Sequence, residues 1–339
     1  MIEPDATKVR VVSAEEVLRH GTPALALASA RTAADMRRDP SSAVKRLNLG
    51  LPGGWMRVLA ASLPSLGVFG YKEFHYSPGG VLRYAIHLFS TEDGRPLGIV
   101  DASMITTLRT AGSAVAAATA YFGQPERPLT VGVIGSGAEA QAGLRALAAA
   151  LPVKAAHVTS RNEANRAGFA ERLSGELGIP VVPVPDAASA ARDADVVYVG
   201  TGSSSVVVRA EELAAVPLVL SIGSTMPDQR ELPGEVLAGA AVLVIDTPDV
   251  LEESGDALDA ASIGLDRSRV RILGDFVADP GPRAAGTTLY KSIGSPEQDL
   301  VLAKAIVDDM AGLDGRFVDS LTDLKRNLKP LAPTSKEQP

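Results

Sequence analysis

The sequence predicts an α/β protein in which a doubly wound parallel sheet follows an α+β region, and three observations carry this. From Leu129 to Arg161 the chain reads LTVGVIGSGAEAQAGLRALAAALPVKAAHVTSR. A short apolar run, a glycine turn, an alanine-rich amphipathic segment and a second β-leaning run follow one another there, the order of a dinucleotide-binding βαβ unit. After residue 128 segments of β and α character alternate, as a parallel sheet with crossover helices requires. Before residue 101 short strands are separated by tight-turn residues, which predicts mainly antiparallel pairing.

In chain order, residues 1–7 are polar and expected to be loose, and Val9 to Val12 reads as a strand. Ser13 and Glu16 have capping-box spacing ahead of a helix from Ala14 to His20. A second helix is expected over Ala24 to Arg37. Strands are expected at Lys45 to Leu51 and Trp55 to Ala61, about the turn Pro52-Gly53-Gly54, then at Gly67 to His75 and Val81 to Phe89. Glu92-Asp93-Gly94 turns the last of these into Pro96 to Val100. Ser103 to Tyr121 is helix-length and rich in small residues, and Gly123 followed by Pro125 marks its stop and a domain boundary. Further strands are expected at 130–134, 155–159, 181–184, 195–199, 218–222 and 241–245. Past Leu273 the texture reads as loop, Pro296 to Leu313 as a helix with Glu297 and Asp299 at its start, and the tail from Pro330 as disordered.

Composition narrows the classes. A chain of 339 residues can bury two domain cores, and 46% hydrophobic against 22% charged residues describes a folded globular protein. A net charge of −7 speaks against nucleic acid or an anionic membrane as partner. The lack of cysteine removes disulfides, thiol nucleophiles and thiolate metal sites. The start lacks the basic end and apolar run of a signal peptide, and no stretch reaches the ~18 apolar residues of a membrane span, so the cytoplasm is the expected location. The histidines His20, His75, His87 and His157 lack metal-ligand spacing, so no metal is expected.

Within the βαβ unit, Gly135 allows the tight turn, Gly137 lets the backbone approach a pyrophosphate, and Ala140 lets the helix pack closely on its strand. The helix that begins near Ala138 aims its free N–H groups at the phosphates. Ser160, Arg161 and Asn162 follow the second strand, where an acid would select NAD; serine and arginine suit a 2′-phosphate, so NADP(H) is the expected cofactor, with NAD(H) possible. Lys72 lies in an apolar β segment and is either a strand-edge lysine facing water or a buried cation with an anionic partner. Arg109, in a helix of small residues, suits a substrate carboxylate or an internal salt bridge. Thr110 beside it could donate to a phosphate. His75, three residues after Lys72, is the histidine to test.

Several stretches together resemble the ornithine cyclodeaminase/mu-crystallin family: KRLNLGLPGGWMRVLAA (45–61), GYKEFH (70–75), VDASMITTLRTAGSAVA (100–116), VGVIGSGAEAQ (131–141), VTSRN (158–162), SIGSTMPDQREL (221–232), IDTPDVLEESGD (245–256) and TLYKSIGSPEQDL (288–300). The resemblance implies a split architecture: residues 1–122 with 301–330 as an α+β substrate-binding and dimerisation domain, 123–300 as a Rossmann domain, and 331–339 as a disordered tail. It implies that Arg46, Lys72 and Arg109 hold a substrate carboxylate, and that Thr110 contacts cofactor phosphate. It places Gly135, Gly137, Ala138, Glu139 and Ala140 in the phosphate loop, Arg161 at the NADP-selecting position, and Thr201, Ile222 and Ser292 around the nicotinamide. One departure matters: cyclodeaminases carry an aspartate where this chain has Thr225, and Asp228 lies three residues further on. The expected function is therefore an NAD(P)H-dependent oxidoreductase acting on the C=N or CH–NH bond of a carboxylate-bearing cyclic ketimine, imino acid or L-amino acid. Lys72, Arg109 and Thr225 are its expected catalytic residues, and His75 helps to shape the substrate pocket. The rivals are a cyclodeaminase that recycles NAD and a non-catalytic NADPH-binding crystallin; the resemblance also implies a homodimer.

Overall fold

In the computed structural model, which describes residues 8–319, the chain builds two sheets. The stretches 1–7 and 331–339 lie outside the described residues, as does the end of the segment 301–330. The first sheet uses β1 (Lys8–Val12), β2 (Ala43–Leu51), β3 (Gly54–Leu63), β4 (Val68–Tyr76), β5 (Leu82–Ser90) and β6 (Pro96–Asp101). All neighbours in it are antiparallel except β1 and β6. Its helices are α1 (Ala14–His20), which carries the expected capping box, α2 (Pro23–Arg38) and α3 (Ser103–Phe122).

The small residues of α3 have a packing reason. The helix is buried along most of its length, and a Cβ on Gly112 would collide with the carbonyl of Ala26 on α2. Two backbones can come this close only where no side chain stands between them.

The second sheet begins with β7 (Leu129–Ile134), α4 (Ala138–Ala150), β8 (Val153–Thr159), α5 (Glu163–Leu177), β9 (Val181–Pro183), α6 (Ala187–Ala191) and β10 (Val196–Val199). It continues through α7 (Ala210–Leu213), β11 (Leu218–Ser221), α8 (Gly234–Ala238), β12 (Val242–Ile245), α9 (Val250–Glu253), α10 (Gly255–Ser262), β13 (Val270–Ile272), α11 (Leu273–Ala278) and β14 (Thr288–Lys291). The strand order is β13-β12-β14-β11-β10-β7-β8-β9, parallel throughout. The order reverses beside β7, so the loops after β7 and β10 flank a switch-point crevice. The doubly wound reading holds.

The loop reading past Leu273 does not. That stretch contains α11 and β14, and β14 lies in the middle of the sheet between β11 and β12. Four residues, Thr-Leu-Tyr-Lys, are too short for a periodic signal, and a terminal lysine argues against a central strand. Lys291 is nevertheless fully buried, because its Nζ meets Asp256 at 3.1 Å, the Ser221 hydroxyl at 3.0 Å and the Gly223 carbonyl. A buried lysine needs such partners, and they come from elsewhere in the chain.

The last helix, α12 (Pro296–Asp309), stops four residues short of the expected Leu313. It crosses position 300 and packs its Leu300, Leu302, Ala303 and Ile306 into the core of the first sheet. β15 (Arg316–Asp319), absent from the sequence reading, then pairs antiparallel with β1. Among the described residues no helix is long and apolar enough to cross a membrane.

Candidate active site

Register explains which side chains of the first sheet face inward. Side chains alternate along a strand, so residues two apart share a face. Arg46, Leu59, Lys72 and Ile86 lie side by side across β2 to β5, and Asn48, Arg57, Phe74 and Tyr84 form the neighbouring row. This face is the floor of a cavity of about 250 Å³. Its remaining walls are Thr106, Arg109 and Thr110 from α3, Glu139 from α4, and Thr201, Ile222 to Thr225, Gln229, Ser292 and Ile293 from the loops of the parallel sheet.

Lys72 and Arg109 meet here over one carboxylate. Lys72 Nζ lies 2.7 Å from Asp299 Oδ2 and Arg109 Nε lies 3.2 Å from Asp299 Oδ1. All three are buried, with Lys72 and Asp299 at 1% and 0% exposure. One anion between two cations leaves a net positive charge aimed at the cavity. Burial pushes the Lys72 ammonium down to about 8; Asp299 opposes that shift and Arg109 reinforces it. Sequence reading missed Asp299 as a site residue. Its signal was present as the acidic first turn of α12, which also suits a helix N-terminus.

Arg109 is held from two further directions. Its Nη1 donates to Gln298 Oε1 at 3.2 Å, and Gln298 Nε2 donates to Asp246 Oδ2 at 3.3 Å. Asp246, buried at the end of β12, also accepts from the Ser292 hydroxyl at 2.7 Å and from Gly294 N at 2.8 Å. Gly294 has φ +83°, and a Cβ there would collide with the Arg109 guanidinium. The glycine of the Lys-Ser-Ile-Gly segment thus makes room for the arginine. Asp246 is a second residue that sequence reading missed: it follows directly on four-residue β12, and its partners come from positions 292–298.

The other predicted residues fall as follows. Arg46 lines the cavity but is engaged by Glu253 Oε2 at 2.8 Å and the Gly294 carbonyl at 2.8 Å, so it ties β2 to α9. Thr110 lines the cavity while its hydroxyl donates to the Thr106 carbonyl at 2.7 Å. Thr225 donates to Gln229, whose Oε1 accepts from Thr225 N at 2.8 Å and from its hydroxyl at 3.3 Å. Ser224 before it adopts φ +51°, a conformation that costs a non-glycine residue and is held by the bond from its hydroxyl to the Gln229 carbonyl. Asp228 is exposed and does not line the cavity. His75 is not brought to the site. Three positions from Lys72 on the same strand, it points to the opposite face and lies across from Met56 and Arg83.

A second cavity, of about 630 Å³, runs along the C-terminal ends of β7, β8 and β10 and shares Thr201 with the first. Gly135, with φ +124°, makes the turn, and Gly137 caps α4 without any side-chain cap, leaving first-turn N–H groups free for an anion. Ala138 opens the helix on the exposed side, and Ala140 is buried behind it. Ser160, Arg161 and Asn162 line the far end; Ser160 Oγ accepts from Ser136 Oγ at 2.9 Å, and Asn162 caps α5. Glu139 turns the other way, into the substrate-side cavity, where its Oε1 accepts from the Thr107 hydroxyl at 2.6 Å. These residues suit a dinucleotide: a bare helix N-terminus, a cradle of glycines and an elongated cavity joined at Thr201 to the cationic one. Behind that junction the buried Glu231 accepts from Thr201 N and packs against Gly223. Among the described residues no cluster of three or more histidine, aspartate or glutamate side chains could hold a metal.

Fold and cavities together define a nicotinamide-dinucleotide-dependent oxidoreductase with a cationic substrate chamber. The chain belongs to the ornithine cyclodeaminase/mu-crystallin family, whose profile matches residues 80–313. It is similar to the Delta(1)-pyrroline-2-carboxylate reductase of Paracoccus denitrificans, with 28% identity over 286 residues, covering 80% of this chain and 89% of that one. It is similar also to the ketimine reductase mu-crystallin of Rattus norvegicus, with 27% identity over 226 residues, covering 66% and 68% of the two chains. Among solved structures, the Delta(1)-pyrroline-2-carboxylate reductase of Thermococcus litoralis, in complex with NADH and L-proline, superposes with a TM-score of 0.81 at 25% identity. That match covers 89% of this chain and 97% of that one.

Proposed function

We propose that this enzyme reduces the C=N bond of carboxylate-bearing imines, cyclic ketimines among them, with NADPH as the preferred reductant, and runs the same site backwards on the L-amino acid. The observation that carries this reading is the Lys72–Asp299–Arg109 cluster, two buried cations sharing one carboxylate at the floor of a chamber that joins the dinucleotide cavity. The net charge left over is complementary to one substrate carboxylate, and clamping that group fixes the adjacent imine carbon.

When bound, the reduced nicotinamide supplies the hydride; imine, hydride and one proton give the amine and the oxidised cofactor. The residues of the chain do the rest. Gly135, Gly137 and the N-terminus of α4 hold the pyrophosphate, and Ser160 and Arg161 meet the 2′-phosphate that favours NADP. Thr201, Ile222 and Ser292, all on the substrate-side cavity wall, surround the nicotinamide end. Lys72, with its pKa near 8, serves both as carboxylate partner and as a proton source for the imine nitrogen. Cyclodeamination is disfavoured because Glu139 is the one carboxylate among the described residues that line the chamber, and the Thr225 side offers a hydroxyl and an amide.

Assembly as a homodimer belongs to this proposal. The outer face of the first sheet stacks Phe69 on Phe89 at 5.3 Å and Tyr71 on His87 at 4.9 Å, beside exposed Leu47, Leu49 and Leu51. An apolar face of that kind marks an association surface. The division into a substrate and dimerisation unit and a cofactor unit goes with it. The deciding experiment follows NADPH oxidation with Delta(1)-pyrroline-2-carboxylate. Wild type turns it over, and Lys72→Ala and Arg109→Ala each lose ~10²-fold or more in kcat/KM. Full activity in either variant, or ornithine converted to proline without net NADH, refutes the reading.

A further inference from the structure

Four cations line the chamber: Arg46, Arg57, Lys72 and Arg109. Three of them have carboxylate partners. Lys72 and Arg109 share Asp299, and Arg46 takes Glu253 at 2.8 Å with Asp249 at 3.8 Å. Arg57 has no carboxylate within 4.0 Å among the described residues. It is half-buried, stands on the same inward face as Leu59 and Lys72, and lies across from Phe74 on β4. Its guanidinium rests 5.6 Å from the centroid of the Trp55 ring. Burial lowers its pKa and Arg46 adds to that shift; Glu253, already committed to Arg46, and the exposed Asp228 oppose it from beyond salt-bridge distance.

A guanidinium withdrawn from water without an anion is costly, and its planar fork suits a carboxylate. Leu59 sits opposite Lys72, so Arg57, two residues back on β3, is the diagonal neighbour of Lys72. Diagonal side chains of adjacent strands are roughly 7–8 Å apart at their bases, within reach of one another when both are long. That spacing matches two carboxylates on one short carbon chain, in a chamber of metabolite size. We propose that Arg57 selects for a second acidic group, so that the enzyme favours imino dicarboxylates over monocarboxylic imines: the α-carboxylate meets Lys72 and Arg109, and the side-chain carboxylate meets Arg57. The assignment of the α-carboxylate rests on the function proposed above.

The test compares two five-carbon 2-oxo acids, 2-oxoglutarate and 2-oxopentanoate, which differ only in the terminal carboxylate. Each is converted to its imine with methylamine, and NADPH oxidation is followed. Wild type is expected to favour the diacid by at least ~10-fold in kcat/KM, the scale of one charge-assisted pair. Arg57→Gln should bring that ratio to about one, and Arg57→Lys should leave it in between. Calorimetry of the same two oxo acids against the NADP⁺-loaded protein gives a readout without turnover, with the diacid binding at least ~10-fold tighter through Arg57. A wild-type ratio at or below one in binding, or a ratio that Arg57→Gln does not move, overturns the inference. If neither imine is reduced but the diacid still binds more tightly through Arg57, Arg57 stands as the partner of a second carboxylate and the reductase reading fails. If the monoacid imine is reduced equally well, the reductase reading stands and the inference fails.

Discussion

Replacing Asp299 by asparagine removes the one anion that lets two cations share a buried site. The side chain keeps its shape, so the change is electrostatic. Lys72 and Arg109 sit 2.7 and 3.2 Å from its two oxygens, and Asp299 is completely buried. Breaking a buried pair by removing one partner costs about 3–5 kcal/mol, because the remaining charge stays desolvated. Lys72 has an escape open to it, since it can lose its proton. Asp299 is what holds its pKa up near 8 against burial and Arg109, so the variant should titrate Lys72 well below that value. Two readouts follow. Thermal unfolding should come several degrees lower, at roughly 1–2 °C per kcal/mol for a chain of 339 residues. The high-pH limb of kcat/KM for a carboxylate-bearing imine should move to lower pH, and activity at pH 7 should fall by ~10²-fold. A variant that keeps both the wild-type melting temperature and the wild-type limb would show that Asp299 does not tune Lys72, and the account of the site would fall with it.

In the wild type, Lys72 is a cation below about pH 8 and neutral above it, so kcat/KM should decline by up to tenfold per unit above that point. A bound carboxylate stabilises the ammonium, so the limb in kcat should lie at higher pH; Lys72→Arg, charged throughout, should abolish it, and a limb that persists there belongs to another group. Arg161→Asp should shift the coenzyme ratio from NADPH toward NADH by ~10-fold or more, measured as the ratio of the two kcat/KM values; an unchanged ratio counts against Arg161 as the 2′-phosphate partner. Gly294→Ala places a Cβ into the Arg109 guanidinium at φ +83°, so it should destabilise the protein by at least ~1 kcal/mol in denaturant unfolding and raise KM for the imine. A variant with wild-type KM would mean that Arg109 does not depend on that glycine for its position.

The local physics of the chain already specified much of this protein. The βαβ unit was legible because Gly135, Gly137 and Ala140 act within a few residues of one another, where strand, turn and helix are all local. The alternation that defines the parallel sheet, the capping box at Ser13 and Glu16, and the hairpins of the first sheet are short-range signals of the same kind. Lys72 and Arg109 stood out as charges in apolar or small-residue surroundings, but their partner did not. Asp299 lies 190 residues after Arg109, and only folding brings the first turn of α12 under β4. His75 failed for a related reason: closeness to Lys72 in sequence means the opposite face on a strand. β14 was hidden because a strand ending in lysine is stable only when Asp256, Ser221 and Gly223 surround its ammonium. Arg46 is drawn to Glu253, which leaves Arg57 as the chamber's unpaired cation among the described residues. Backbone conformation and amphipathic period are set by neighbours in the chain. The partner of a buried charge is set by whatever the tertiary fold carries to within a few ångströms of it, and here that pairing decides the chemistry of the site.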